Sequence, residues 1–588
     1  LGNPFLNRMR VNREHTSIIV SYDDQTFHWC ELDDSGHVQD ALRLSDHWLR
    51  RIQNVQHIQF VGTDQVVAII QEKTERSIHV YKKEQGRIKL LYTKSLKLPF
   101  PVMQVAWQDE HLQLLFAVRH RSGTVQIGLY DSEQEQAEWV TPKLVNPQFV
   151  FWSKIAREIG VNIGGLGRVY VYGEESGLSQ ETLYREYAYP VMDKQGEMIA
   201  LSIPVEGGFQ PGWSKAQDEA IHRRLEHSEL FSELIRMQLD IDRQLVLCEG
   251  ILRGKWMYVQ YTFEGEKTFE LHDYPGTLTQ AVYSRDKQSL IGKFESLVTA
   301  PIPARYEISD SCGKITPLDV GYANVFASGL GQQPEIQYKQ LFHGDELIPY
   351  MDIDPEGEGH AVIYLHGGPH NCLIDSYSPV IRGLCESGVR VIGLNYPGSS
   401  GFGPEYKHRI HDDWGGVDAG VIRIIREQVL SSYIEVSLYG VSYGAYLALL
   451  AAGRNPELWS SAVACAPFTD LSELYAGGGA KLRSFLQMEI GGLLQDESAL
   501  RDRSPLTYAS ALRMVNLQLI HGRNDQLCPV EQTEHLYEEI LKWKQPVRAV
   551  GELELHIIDD LQHEVYAERI WATKAVQFLT RNRVTQPE

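Results

Sequence analysis

Hydrophobic and polar positions follow two different rhythms along this chain. From about residue 17 to 325, short runs of alternating apolar and polar residues are broken by polar turns. Val66-Val67-Ala68-Ile69-Ile70 is followed by Ile78-His79-Val80-Tyr81, and Leu112-Gln113-Leu114-Leu115-Phe116-Ala117-Val118 by Gln126-Ile127-Gly128-Leu129-Tyr130. Alternation of this kind is that of a β-strand with one face buried. The second pair repeats the first: Phe60 aligns with Trp107, and Ile78-x-Val80-Tyr81 with Ile127-x-Leu129-Tyr130, an offset of 47 to 49 residues. Similar strand pairs recur near 17–32, 168–173, 184–202, 245–262 and 279–297. A repeat of roughly 40–50 residues has the length of a propeller blade. One interval breaks the rhythm. From Trp213 to Leu239 the chain is charged and carries Ile221, Leu225, Leu230, Leu234 and Ile235 at helical spacing, which predicts a helix inserted between blades.

Beyond about residue 335 the pattern changes. Ala361–Leu365 and Val389–Leu394 read as buried strands, and Ser461–Cys465, Leu517–Ile520 and Leu553–Ile558 as the strands that follow. They are separated by helix-like stretches, among them Val417 to Leu430, and a last helix is expected from about Glu564. Strands alternating with helices predict a mostly parallel sheet covered on both faces. The expected division is residues 1–330 and 331–588, in a chain of 588 residues that is long enough for two domains or more.

Within the second region, Gly440-Val441-Ser442-Tyr443-Gly444 follows the β-like run Ile434–Tyr439 and precedes the apolar helical run Ala445–Ala452. Strand, sharp turn and helix are the setting of a G-x-S-x-G nucleophile elbow. The glycines matter because a Cβ at either position would strike the neighbouring strand or helix.

A serine hydroxyl needs a base within hydrogen-bond reach, and the base needs an orienting carboxylate. In this arrangement they follow in the order Ser, Asp or Glu, His. The acid expected is Asp525, just past the strand that ends in Ile520-His521-Gly522; Asp559 and Asp560 sit too close to the histidine loop. The base expected is His563, between the last strand and the last helix. His556 alternates inside a strand, His535 falls on a helix after Pro529, and His521 is placed to hold the acid loop. A tetrahedral intermediate also needs N–H donors for its oxyanion. The N–H of Tyr443 is one, and the loop His366-Gly367-Gly368-Pro369 supplies the other, assigned to Gly368. Phe468 and Tyr475 are candidates for an apolar side-chain pocket, with plain core packing as the alternative.

Composition changes the picture little. The net charge of −21 argues against nucleic-acid or anionic-membrane partners, which need a basic face. No apolar run has the ~18 residues of a membrane span, and no signal-like segment is present, so a cytoplasmic protein is expected. The chain starts at Leu1 rather than Met, as one does whose first residues have been removed. The 7 cysteines show neither disulfide nor zinc spacing. No metal or cofactor is expected.

Taken together, the motifs of the second region resemble the prolyl oligopeptidase family of serine peptidases, in its acylaminoacyl-peptidase-like branch. His366-Gly367-Gly368-Pro369-His370 is similar to the family's oxyanion loop, and Asn395-Tyr396-Pro397-Gly398-Ser399-Ser400-Gly401-Phe402-Gly403 to its N-x-R-G-S-x-G-x-G segment. Trp414-Gly415-Gly416-Val417-Asp418, Ala466-Pro467-Phe468-Thr469-Asp470 and His521-Gly522-Arg523-Asn524-Asp525 with Pro529 are similar to three further segments. The resemblance implies an N-terminal β-propeller of seven or eight blades and a C-terminal α/β-hydrolase domain with the active site between them. It makes Val298–Ile308 part of the final blade. The implied substrate is a short peptide or acyl-peptide, with the propeller excluding folded proteins. Pro397 stands where the family has Arg, and Leu527 replaces the Arg of the usual D-x-R-V-P acid loop, removing a guanidinium that could bind a substrate carbonyl or carboxylate. No glutamate pair for a free amino terminus is evident in the propeller.

These observations lead to a serine peptidase acting on short or N-blocked peptides. An esterase, or a peptide acyltransferase or macrocyclase, would use the same triad. A propeller-based interaction protein with a silent hydrolase domain is the reading from another class, and the full set of Ser442, Asp525, His563 and Gly368 counts against it. Oligomeric state is not readable, and a homo-oligomer stays open.

Overall fold

The structure is a computed structural model. In the first region it describes the strands named below and loop residues 12, 15–16, 33–37, 61, 64, 85, 134–135, 225, 231–232, 241–244, 254, 263–266, 276, 284–288, 296–301, 308, 314 and 318–319. In the second it describes 334–354, 359–544, 551–563 and 568–581. The chain divides into two compact units, Leu1–Gly250 with Trp256–Gly331, and Ile251–Lys255 with Gln332–Glu588.

The first unit is a β-propeller. Among the described residues it holds seven antiparallel sheets, each built from consecutive strands. Blade 1 is Leu6–Val11, Ser17–Tyr22, Phe27–Leu32 and Val38–Arg43; blade 2 is Val55–Phe60, Gln65–Glu72, Glu75–Glu84 and Arg87–Leu96. Blade 3 is Val102–Gln108, His111–Arg119, Thr124–Asp131 and Gln136–Trp139, with Leu144–Val145 added beside its third strand. Blade 4 is Pro147–Ser153, Glu158–Ile163, Arg168–Gly173 and Gly177–Leu183; blade 5 is Ala188–Met192, Met198–Val205, Gly208–Lys215 and Arg223–Arg224. Blade 6 is Glu233–Asp240, Leu245–Leu252, Lys255–Thr262 and Lys267–Leu271; blade 7 is Thr277–Tyr283, Ser289–Glu295, Ile302–Glu307 and Ile315–Pro317.

The repeat seen in the sequence is the step from blade 2 to blade 3. Phe60 pairs with Val66 as Trp107 pairs with Leu112; Tyr81 lies opposite Val66, whereas Tyr130 lies opposite Leu114, so the third strand of blade 3 is displaced by two residues from that match. Among the described residues the ends of the ring meet without exchanging a strand: blade 1 and blade 7 each contain their own four strands. The Asp286 N–H donates to the Asp34 carbonyl (2.9 Å), Ser35 Oγ donates to Asp286 Oδ2 (2.9 Å), and Arg305 Nε donates to the Ser35 carbonyl (2.6 Å). Ile291 and Leu318 of the last blade pack with Met9, Ile18 and Val20 of the first.

Among the described residues of the interval 213–239, where a helix is expected, the chain forms strands and no helix. Trp213 lies in the third strand of blade 5, and Leu234 and Ile235 lie in Glu233–Asp240, the first strand of blade 6. Ile221 and Leu230 fall outside the described residues. The buried positions of that strand are Leu234, Met237 and Asp240, a spacing of three that imitates a helix in the sequence. Pairing within the blade overrides the local signal, as tertiary context commonly does.

The second unit is an α/β-hydrolase domain. Its strands are β1 (Glu335–His343), β2 (Glu346–Asp354), β3 (His360–Leu365), β4 (Arg390–Leu394), β5 (Glu435–Val441), β6 (Ser461–Cys465), β7 (Asn516–Gly522) and β8 (Leu553–Ile558). The sheet order is β1-β2-β4-β3-β5-β6-β7-β8. The two pairings made by β2 are antiparallel, and from β4 to β8 all pairs are parallel. The central strands are buried, with every residue of β3 and β6 out of solvent, whereas β8 at the edge is half-buried along its length. The edge strand β1 is mostly exposed, as its polar sequence requires.

The helices that matter here are α1 (Pro379–Glu386), α2 (Val417–Gln428), α3 (Tyr443–Arg454), α4 (Leu471–Gly477), α5 (Ala480–Ile490), α6 (Val530–Lys544) and α7 (Glu568–Thr580). The last is described from Glu568, and the start expected near Glu564 lies outside the described residues. Among the described residues no helix is long and apolar enough to cross a membrane.

Register aligns the carboxyl ends of the parallel strands. Leu365 pairs with Gly440, Val441 with Cys465, and Gly522 with Ile558. The loops carrying His366–His370, Ser442, Asp525 and His563 therefore leave the sheet at one edge, where open α/β sheets place ligands.

Candidate active site

Ser442 sits at the turn between β5 and α3 with φ 55° and ψ −118°. A positive φ is costly for a side-chain-bearing residue and persists only where the surroundings enforce it. They do so here. A Cβ on Gly440 would strike the Gly444 carbonyl, and one on Gly444 would strike the carbonyls of Leu365 and His366. The Ser442 N–H donates to the Cys465 carbonyl (2.8 Å), which carries the β5–β6 ladder into the turn.

The structure brings three of the expected residues together. His563 Nε2 is 3.1 Å from Ser442 Oγ, and His563 Nδ1 is 2.6 Å from Asp525 Oδ2. Asp525 Oδ1 accepts the N–H groups of Leu527 (2.9 Å) and Cys528 (2.8 Å). His521 is fully buried beside them, 3.3 Å from Asp525 Oδ2, and Nε2–H donates to the Cys528 carbonyl (2.9 Å). It holds the acid loop. Burial would push the Asp525 carboxyl up, but the His521 and His563 hydrogen bonds, the charge His563 takes on and the Cys528 N–H together hold it well below the usual carboxylate range. Asp525 is thus an anion at neutral pH, and an anion at Nδ1 fixes the imidazole with a free Nε2 toward the hydroxyl. That arrangement can take a proton from Ser442 as its oxygen attacks a carbonyl. Asp559 instead pairs with Arg523 (2.9 Å) and His556 with Glu554 (3.1 Å), away from these groups.

Tyr443 is the first residue of α3, so its N–H has no acceptor within its own helix. Gly367 lies against the serine: a Cβ there would be 3.6 Å from Ser442 Cβ. Gly368 has φ +150°, and a Cβ there would lie 2.8 Å from the His370 nitrogen. The loop reaches the serine only as bare backbone.

The three pocket candidates are placed differently from one another. Phe468 is 4 % exposed and stacks on Tyr446 at 4.5 Å, with Tyr443 and Trp414 beside it. Tyr475 is on α4, and its hydroxyl donates to Gln487 of α5 (3.2 Å) rather than to a member of the triad. Leu527 is 46 % exposed.

Supporting groups appear that sequence reading did not assign. His366 stacks on Tyr396 (4.4 Å), with Nε2 2.9 Å from Ser399 Oγ; burial lowers it to about 4, so it is neutral at pH 7. Glu568, in the first turn of α7, accepts the hydroxyls of Tyr364 (2.9 Å), Ser378 (2.9 Å) and Tyr439 (3.1 Å). It ties the helix after His563 to β3, α1 and β5. Burial raises its carboxyl above the ordinary value, against the hydroxyls' opposing pull. Pairs separated by dozens to hundreds of residues leave no local pattern to read.

Residues 376–583 match the prolyl oligopeptidase family. These residues are a prolyl oligopeptidase family domain. The domain also resembles the acylamino-acid-releasing enzyme of Sus scrofa, at 28 % identity over 229 residues, 37 % of this chain and 31 % of that one. The chain thus spans about a third of the length of the curated relatives it matches. Among solved structures, acylaminoacyl peptidase of Pyrococcus horikoshii aligns over 100 % of this chain and 97 % of its own, with TM-score 0.73 and 15 % identity. An acylaminoacyl peptidase in complex with Z-Gly-Gly-Phe-chloromethyl ketone aligns equally, at TM-score 0.73, 15 % identity, and 100 % and 97 % coverage. At such identity the likeness speaks for the fold, a propeller with a prolyl oligopeptidase domain.

Proposed function

We propose that this chain is a serine peptidase that hydrolyses short or N-blocked peptides through an acyl-enzyme. The observation that carries the reading is the hydrogen-bonded line from Ser442 Oγ through His563 to Asp525, at 3.1 Å and 2.6 Å. Ser442 attacks the scissile carbonyl while His563 takes its proton. The N–H groups of Tyr443 and Gly368 receive the oxyanion. His563 then gives the proton to the leaving amine, and water repeats the sequence to release the acid. Asp525 orients His563 and offsets its charge.

The family of residues 376–583 and the name of the pig relative favour peptides with a blocked amino end. The peptide chloromethyl ketone complex, a property of that neighbour, favours peptide over simple ester. Phe468, Tyr475 and Leu527 are assigned to substrate binding, the propeller (1–330) to limiting substrate size, residues 331–588 to catalysis, and the cytoplasm as the working compartment. The chemistry as written uses only side chains and backbone of this chain.

A fluorophosphonate probe tests the nucleophile. It labels the wild type at Ser442, and equal labelling of Ser442→Ala sinks the assignment. Digestion of a peptide library, half of it N-acetylated and read by mass spectrometry, tests the substrate class. Cleavage of aryl esters with no amide cleavage at any length would replace the peptidase reading with an esterase.

A further inference from the structure

His563 lies between the end of β8 and the start of α7, so its place depends on how each side of its loop is held. The side toward β8 is fastened to the acid loop, where the Asn524 N–H donates to the Leu561 carbonyl (3.0 Å). The side toward α7 is fastened at Glu568, in the first turn of that helix. Tyr364 and Tyr439 both donate to Glu568 Oε1, and Ser378 donates to Oε2. The donors come from the elements that carry the rest of the site. Tyr439 is on β5, three residues before Ser442. Tyr364 is on β3, four residues before Gly368. The two tyrosines are direct partners in the parallel ladder, with their rings 5.1 Å apart. Ser378 caps α1, which follows the oxyanion loop, and its Oγ also accepts the Ile381 N–H (3.1 Å). One turn further along α7, Trp571 Nε1–H donates to the Tyr439 hydroxyl (3.1 Å). One carboxylate thus touches β3, α1 and β5 at once.

We propose that Glu568 is a positioning residue for His563: by accepting the hydroxyls of Tyr364, Ser378 and Tyr439 it fixes the helix behind the base against the strands that carry the nucleophile and the oxyanion loop. The inference rests on the triad of the peptidase reading and adds a residue to its support. Asp525 orients the imidazole ring, but the distance from the ring to Ser442 is set by where the loop is anchored. His563 Nε2 stands 3.1 Å from Ser442 Oγ, close to the ~3.2 Å limit of a productive proton transfer. Any drift of the start of α7 away from β5 lengthens that contact. A misplacement of about 1 Å at a reacting centre costs on the order of 100-fold.

Replacing Glu568 by alanine or glutamine separates position from fold. Glu568→Gln keeps the contacts: its oxygen accepts both tyrosines, and its amide donates to Ser378 Oγ, which has a second lone pair. The experiment is Ser442 labelling by a fluorophosphonate at rising probe concentration, which separates the maximal rate from the half-saturating concentration. Circular dichroism and a melting curve accompany each variant. Glu568→Ala is expected to lower the maximal rate by about 100-fold with the half-saturating concentration unchanged. Glu568→Gln is expected to stay within roughly threefold of wild type, less than one net hydrogen bond. A purely structural role would lower the melting point and the fraction labelled while the folded molecules keep the wild-type rate. Where Glu568→Ala does not fold, Tyr364→Phe removes one donor and leaves two, and it is expected to be slower by roughly fivefold, the net worth of one hydrogen bond. A wild-type maximal rate in folded Glu568→Ala or in Tyr364→Phe, or equal slowing in Glu568→Gln, overturns the proposal and leaves the peptidase reading intact. A wild type that labels at no concentration removes both.

Discussion

The Tyr443 hydroxyl donates to Asp418 Oδ2 at 2.6 Å, joining the residue after the nucleophile to the first turn of α2. Asp418 Oδ1 also accepts the Ala419 N–H (2.8 Å), and the carboxyl is fully buried. Burial raises it to about 6 despite the Tyr443 hydroxyl and the Ala419 and Gly415 N–H groups, which pull the other way. The folded value lies above the ordinary aspartate value of 3.8, so ionisation opposes folding. Its cost is absent below pH 3.8, grows as pH rises to about 6, and is constant above that. Asp418→Asn keeps an acceptor for Ala419 and removes the charge. It is expected to melt above wild type at pH 8, with the margin shrinking as pH falls toward 4; the ceiling is about 3 kcal/mol at ~1.4 kcal/mol per pH unit. Melting curves at pH 8, 6 and 4 check this, and a margin that grows with acidity contradicts it.

Gly444→Ala tests the steric account of the elbow. The new methyl meets two backbone carbonyls that cannot turn aside, so the loss is expected to be at least about 3 kcal/mol, the upper end of ordinary overpacking. Chemical denaturation reads it directly. By contrast Gly420→Ala on α2, where a Cβ meets nothing within 4 Å, is expected to be neutral or stabilising by up to about 1 kcal/mol.

Asp525→Asn is expected to leave the fold in place and reduce amide turnover by about 10,000-fold, because an amide at His563 Nδ1 permits the wrong tautomer. Turnover of an acetyl-amino-acid anilide measures it. A loss below about tenfold would mean another carboxylate orients the histidine.

Leu527→Arg restores the guanidinium that the family's acid loop carries. The Leu527 side chain is exposed, and it is the backbone N–H that serves Asp525, so the triad is expected to stay as it is. The variant is expected to lower KM for acylated dipeptides roughly tenfold, the value of one charge-assisted hydrogen bond, with kcat little changed. An unchanged KM removes Leu527 from the substrate site.

What the sequence made legible was local or repeated. The elbow needs five residues between a strand and a helix, and its first glycine lies against the carbonyl of the second, four positions on. The blades announce themselves by recurrence, as Phe60 and Trp107 do. Blade 6 misled because Leu230, Leu234 and Ile235 sit at helical spacing in the sequence, and only the partner strand decides that Leu234 and Ile235 lie on a strand. Phe468 illustrates a different limit: an aromatic after β6 is equally suited to a pocket wall and to the stack on Tyr446. The contact from His370 to Glu489 spans 119 residues, and the link from Tyr364 to Glu568 spans 204. Such pairs become visible only when the sheet register brings their elements to one edge.

Among the described residues, blades 1 and 7 keep their strands to themselves. Every blade is then a single uninterrupted stretch of sequence, and the ring has a butt joint rather than a woven one. Insertion or loss of one stretch of blade length would leave every remaining strand with its partners. The blade number of such a ring is set by duplication and deletion of modules, and the joint at Asp34 and Asp286 is the place where the ring can be re-cut without unpairing a strand.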